Sequence, residues 1–108
     1  MSLTIESISH PSHHLINLSG EVDTKTATSL MDALAELELA ALLELRIDMA
    51  DVAFLSSAGL RALLFAKQKM PYESRLVVIG ANTAIVEVIT KTGLTEAVTL
   101  VADVSLLS

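Results

Sequence analysis

Two hydrophobic periods alternate along this chain, and the alternation limits its fold more than any other property. Across residues 43–49, Leu43, Leu45, Ile47 and Met49 alternate with Glu44, Arg46 and Asp48, the two-residue period of a strand. From Thr24 onward the apolar residues recur at three and four instead, through Ala27, Leu30, Met31, Leu34 and Leu37, the stripe of an amphipathic helix. Asp23 or Thr24 offers a short side-chain oxygen to cap that helix. Ahead of it, residues 3–8 alternate as a strand with Leu3 and Ile5 on one face. His10-Pro11-Ser12-His13 reads as a turn, residues 14–19 as the second strand of a hairpin, and Gly20 breaks the pattern.

The same alternation continues to the end of the chain. After residues 51–55, which read as a connection, Ser56-Ser57 opens a second helix that runs to about Lys69 and is stopped by Pro71. Residues 76–79 form a solid apolar run, as expected for a strand covered on both faces. Asn82 caps a third helix through Ile85, Val88 and Ile89. Gly93 ends it, with Leu94 placed for the hydrophobic contact that accompanies such an end. Residues 98–102 form a last short strand. The order β-β-α-β-α-β-α-β predicts an α/β fold: a mixed, mostly parallel sheet of about four to five strands with helices packed on it and one antiparallel edge from the hairpin.

Composition narrows the functions open to such a domain. With 108 residues there is room for one domain, and 52% hydrophobic residues supply a core built almost wholly from Leu, Ala, Val and Ile, since only 3% are aromatic. The formal charge of -6 argues against binding a phosphate backbone or docking on anionic lipid, both of which need concentrated Lys and Arg. No partner is therefore expected among nucleic acids or membranes. The absence of cysteine excludes disulfide and thiolate chemistry. Apolar runs such as residues 62–66 fall far short of the ~18 residues of a membrane span. Together with a start lacking a basic and apolar leader, this predicts a soluble, cytoplasmic domain.

The segment richest in possible chemistry is Asp48-Met49-Ala50-Asp51-Val52-Ala53-Phe54-Leu55-Ser56-Ser57-Ala58-Gly59-Leu60. It sets two hydroxyls at the start of an otherwise apolar helix, where unpaired N–H groups and a partial positive charge favour an incoming phosphate. A helix cap alone also explains a serine there. Gly59 in the first turn costs about 1 kcal/mol relative to alanine, which is tolerated more readily where something approaches the backbone closely.

This stretch resembles the signature of the STAS domain of bacterial anti-sigma factor antagonists: a strand ending in an aspartate-apolar pair, a short loop, an aromatic residue, then Asp-Ser-Ser-Gly-Leu or a variant such as Ser-Ser-Ala-Gly-Leu. Gly20-Glu21-Val22-Asp23 resembles the family's strand-to-helix turn, and the segment from Asn82 to Thr92-Gly93-Leu94 its third helix. The resemblance covers almost the whole chain and implies a single STAS domain over residues 1–108. It implies that Ser57 is phosphorylated by a partner anti-sigma factor with serine kinase activity. A metal-dependent serine phosphatase would reset the switch, and the unphosphorylated form would bind the anti-sigma factor and free a sigma factor or other output protein. Many family members carry Asp where this chain has Ser56, which makes Ser56 a second candidate acceptor. The partner-binding set implied is Glu21, Asp23, Ser56, Ser57, Ala58, Gly59, Leu60 and Arg61, on a monomer or weak dimer. Asp48, Asp51 and the net charge of -6 would leave an added phosphate unneutralised.

Other clusters read more plainly. His10, His13 and His14 have a spacing compatible with a shared metal ion, but no cysteine joins them, and turn histidines in a hairpin are expected. Glu21 and Asp23 resemble an acid/base pair, yet no nucleophile accompanies them and Asp23 serves as a cap. Leu63 and Phe65 are expected in the core. No phosphate-cradling glycine loop and no Ser-His-Asp arrangement is present, so neither a cofactor nor an enzymatic activity is expected. A scaffold that is never phosphorylated, with Ser57 only a helix residue, and a small-molecule sensor are the alternatives.

Overall fold

The structure, a computed structural model, describes residues 2–103. Among them five strands and three helices follow the expected order: β1 (Leu3–Ser9), β2 (His14–Val22), α1 (Thr26–Ala35), β3 (Glu44–Leu55), α2 (Ser57–Lys69), β4 (Arg75–Ile79), α3 (Thr83–Lys91) and β5 (Thr99–Val101). Short 3-10 turns at Leu39–Ala41 and Leu94–Glu96 supplement them. The strands lie in one sheet in sequence order, with β1 antiparallel to β2 and every later pair parallel. The hairpin thus supplies the antiparallel edge, and helical crossovers supply the parallel remainder.

Register decides which side chains meet. Ile5 pairs with Leu18, Ile16 with Ile47, Ile47 with Val78 and Leu45 with Leu76, so these residues share one face. Leu30 and Leu34 of α1, Leu60 and Leu63 of α2, and Ile85 and Ile89 of α3 join most of them in one buried cluster, so all three helices cover that face. The other face carries Glu6, Asn17 and Asp48 in one row and Glu44 with Arg75 in another. Burial works against ionisation of Glu44, but hydrogen bonds from Arg75 and Arg46 outweigh it and hold its carboxyl below the usual range. At β4, Leu76 to Ile79 are all buried, but the helices cover only the face of Leu76 and Val78; Val77 and Ile79 lie on the other face, paired with Arg46 and Asp48, so the expected cover of helices on both faces is corrected.

Several expected boundaries are corrected. Residues 51–55 are the end of β3, not a connection. Between the pairs Asn17–Asp48 and Ser19–Asp51, β2 advances by two residues and β3 by three; between Gly20–Val52 and Glu21–Phe54, β2 advances by one and β3 by two. Each step inserts one extra residue into β3, a bulge. Buried positions consequently pass from every second residue (Leu45, Ile47, Met49) to every third (Met49, Val52, Leu55), and the strand pattern is lost from the sequence. Leu43, expected on the inner face, precedes β3 and is 60% exposed, while its carbonyl accepts the Arg75 N–H at 2.8 Å. Phe65 is half-buried beneath Lys69 Nζ, 5.9 Å from its ring, whereas Leu63 is in the core as expected.

Gly20 does not end β2, which runs on to Val22. It sits in the strand at φ 117°, and a Cβ there would lie 2.2 Å from the Ser2 carbonyl oxygen that accepts the Glu21 N–H. An L-residue at this φ is strained and displaces the start of β1. Gly20→Ala is expected to lower unfolding stability by roughly 1–3 kcal/mol in urea titrations. An unchanged midpoint would refute the close approach.

Candidate functional site: the start of helix α2

The ends of β2 and β3 lie side by side, with Val22 paired to Leu55, and each strand turns almost at once into a helix. Two helix starts therefore emerge as neighbours. At the second, Ser56 has extended backbone (φ -81°, ψ 170°). Its N–H donates to the Val22 carbonyl at 2.8 Å, its hydroxyl accepts from the Gly59 N–H at 3.2 Å, and its carbonyl accepts from the Leu60 N–H at 3.0 Å. Ser56 is thus the cap of α2, a role that aspartate fills equally well.

Ser57, the first residue of the helix, is exposed, and no hydrogen bond engages its hydroxyl among the described residues. Ala58 is half-buried. Gly59 is buried because the backbone approaches the strand ends so closely: a Cβ there would lie 2.5 Å from Leu55 Cδ1 and 2.7 Å from Val22 Cγ1. The approach that would favour glycine in the first turn is therefore that of the protein's own core. Leu60, expected to face a partner, is only 5% exposed and belongs to the core cluster, because the phase of α2 turns residues 59, 60, 62, 63 and 66 inward. Arg61 lies on the exposed side.

At the neighbouring start, Asp23 rather than Thr24 is the cap. Its Oδ1 accepts from the N–H groups of Lys25 (2.9 Å) and Thr26 (2.8 Å), and the Thr26 hydroxyl accepts in return from the Asp23 N–H at 2.8 Å. This is the reciprocal arrangement of a capping box. The hydrogen bond from Thr26 N–H, aided by its hydroxyl and the Lys25 N–H, outweighs burial and lowers the pKa of Asp23. Glu21 is half-buried opposite Phe54, and its carbonyl accepts the Thr26 hydroxyl at 2.6 Å. Glu21 and Asp23 thus have separate structural settings, and no acid/base pair is formed.

The third segment closes the site from the other side. Asn82 accepts the Ile85 N–H at 2.9 Å, capping α3. Its amide also donates to the carbonyls of Val52 (3.3 Å) and Ala53 (3.4 Å), tying α3 to the bulged end of β3. Ser57, Leu60, Arg61 and Leu64 then line, with Thr92 and Leu94, a shallow groove of about 260 Å³. A second groove of about 220 Å³ lies between α1 and α2, where Met31, Ala58 and Arg61 contribute. Phe54 is 49% exposed beside these starts. Leu64, Thr92 and Leu94 were absent from the set expected from sequence, since the fold brings them to the groove at Ser57. Asp48 and Asp51 line a depression on the open sheet face with Thr4, Glu6, Asn17 and Ser19, and neither borders the grooves at Ser57.

The histidines lie at the opposite end of β2. His10 and His13 stack with centroids 4.6 Å apart, and the His14 ring nitrogen lies 2.6 Å from the Ser7 hydroxyl. Burial is the main cause that lowers the pKa of both His13 and His14. Among the described residues no three His, Cys, Asp or Glu side chains are grouped to hold a metal ion.

This one-sided α/β sheet, with the Ser56-capped start of α2 beside that of α1, has counterparts among known proteins. The family model described as "Mlab, STAS domain" matches residues 7–102, and the chain belongs to the STAS domain family. It is 30% identical over 98 residues to the anti-sigma-B factor antagonist of Listeria monocytogenes, covering 89% of this chain and 86% of that protein. It superimposes on an anti-sigma factor antagonist from Mycobacterium paratuberculosis with a TM-score of 0.86 and 29% identity, over 96% of this chain and 89% of the other. The Bacillus cell fate determinant SpoIIAA in its phosphorylated form shares the fold, with a TM-score of 0.71 at 14% identity over 98% and 96% of the two chains.

The two serines separate cleanly by stability. Ser56→Ala is expected to cost about 1 kcal/mol of unfolding free energy through the lost cap, and Ser57→Ala less than about 0.5 kcal/mol. Equal effects in denaturant titrations would contradict the assignment of the cap. A second test concerns Asp23. Its folded pKa lies below its unfolded value near ~3.9, so its contribution to stability is complete above that value and is lost as pH falls through the folded pKa. The melting-temperature gap between wild type and Asp23→Ala should be widest at neutral pH and should narrow below about pH 4. A gap independent of pH would show that the carboxylate does not act as the cap.

Proposed function

We propose that this chain is an anti-sigma factor antagonist whose binding is switched by phosphorylation of Ser57. The observation that carries this reading is the division of labour at the start of α2: Ser56 is engaged as the cap, while the adjacent Ser57 hydroxyl is exposed and bonded to nothing among the described residues. The names of the related antagonists support the class of partner, an anti-sigma factor. In this reading residues 1–108 act as one cytoplasmic domain that is a substrate of catalysis rather than a catalyst. The partner's serine kinase activity transfers the γ-phosphoryl group of ATP. The Ser57 oxygen forms the new P–O bond, the bond to the ADP oxygen breaks, and the serine proton passes to a base of the kinase. A metal-dependent serine phosphatase returns the hydroxyl.

The partner surface consists of the exposed parts around Ser57: Glu21, Phe54, Ala58, Arg61, Thr92 and Leu94. Gly59 and Leu60 support it from beneath, and Asp23 and Ser56 hold the two helix starts in place. A phosphate would add about -1.5 to -2 charges at Ser57. The helix N-terminus accommodates that charge within the protein, but a partner site fitted to a neutral hydroxyl does not.

Incubation with the cognate kinase and ATP should add one phosphate, seen as a mass shift. Ser57→Ala should abolish it, and Ser56→Ala should remain a substrate. Phosphate on the Ser57→Ala protein would overturn the site. Ser57→Asp should weaken partner binding at least about tenfold, equivalent to ~1.4 kcal/mol. Tight binding with no phosphate transfer would instead indicate a STAS scaffold that is never phosphorylated.

A further inference from the structure

Arg61 stands four residues beyond Ser57 on α2, and both border the same groove, in which Arg61 is the one charged side chain among the described residues that line it. Arg61 is exposed, and no ion pair or hydrogen bond engages its guanidinium among the described residues; the ion pairs found there join Arg46 and Arg75 to Glu44. Residues four apart on a helix share a face, and long side chains lean back toward the helix N-terminus, so the Arg61 side chain is directed over the turn that carries Ser57. An anion on the N-terminal member of such a pair and a cation on the C-terminal member is the favourable order.

We infer that, once Ser57 is phosphorylated, Arg61 pairs with the phosphate inside the same helix, so that modification installs an anion and at the same time withdraws this groove's cation from the partner surface. The inference rests on Ser57 being the modified residue. Phosphate oxygens accept charge-assisted hydrogen bonds from a guanidinium, and no existing ion pair of Arg61 has to break to form them. The local charge then passes from that of one free cation to a net negative value of roughly -0.5 to -1, the sum of +1 and the phosphate's charge. A partner that reads Arg61 with an acidic side chain would lose its counter-charge and meet repulsion in the same step.

The test uses the full chain with phosphoserine installed at position 57 during translation, so that no kinase is required. Phosphorus NMR titration of this protein should give a phosphate pKa lower than in the same protein carrying Arg61→Gln. The expected difference is roughly 0.2–0.4 unit, shrinking as salt is raised. Arg61→Lys should retain much of the shift, because it keeps the charge, and the Arg61 side-chain N–H resonance should move on phosphorylation. Superimposable titrations of the phosphorylated wild-type and Arg61→Gln proteins would overturn the pairing, even if a kinase modifies Ser57. Failure of the kinase to modify Ser57, with the shift still present in the installed phosphoprotein, would overturn the functional reading and leave the pairing intact.

Discussion

The pairing of Val22 with Leu55 is the constraint on which the rest of the site depends. It brings two parallel strand ends together at the point where each chain segment becomes a helix. The Val22 carbonyl holds the Ser56 N–H, and the Val22 and Leu55 side chains lie so near the Gly59 backbone that no Cβ fits between them. Because the second strand reaches its helix through Ser56 alone, Ser57 inherits its position from the sheet rather than from a mobile loop. The reciprocal bonds of Asp23 and Thr26 fix the first helix in the same way.

Most of the architecture was legible because most of it obeys a single period at a time. The helix stripe through Ala27, Leu30 and Leu34 and the doubly buried run of residues 76–79 both lie where their patterns place them. The end of β3 escaped because two bulges change its inward period from two to three, which leaves Val52 and Leu55 buried but Ala53 and Phe54 exposed. Gly20 escaped for a related reason. A glycine in a strand pattern reads as a break, whereas here its positive φ lets β2 continue past a tight contact with Ser2.

The site was legible as a segment but not as a division of roles. Two adjacent serines at a helix start are equivalent in composition; only the backbone angles decide which one turns its hydroxyl back to the Gly59 N–H. Helical phase similarly separates Leu60 from Arg61. The buried stripe of Gly59, Ala62, Leu63 and Ala66 takes Leu60 with it and leaves Ser57, Arg61 and Gln68 outward. The contributions of Thr92, Leu94 and the Asn82 tether were hidden for a different reason. Thr92 and Leu94 reach the groove at Ser57, and Asn82 reaches Val52 and Ala53, from segments more than twenty residues away that sheet order brings alongside.

The net charge acts on Ser57 only through the charges that lie near it. A formal -6 suggests that the whole chain resists another anion. However, the molecule extends 32 × 26 × 23 Å, while electrostatic interactions through water at physiological salt decay over about 8 Å. Charges on the far side of the sheet are therefore largely screened from Ser57, and Asp48 and Asp51 border the open sheet face rather than the grooves beside it. What a phosphate at Ser57 would meet is local: a helix N-terminus and, one turn away, Arg61, which has no ion pair among the described residues. Both would favour a phosphate within the protein, so in the proposed switch the penalty of phosphorylation would fall on the bound partner instead of on the fold. A switch of this kind needs no conformational change. It needs a rigid surface on which the sign of the charge at one point is reversed.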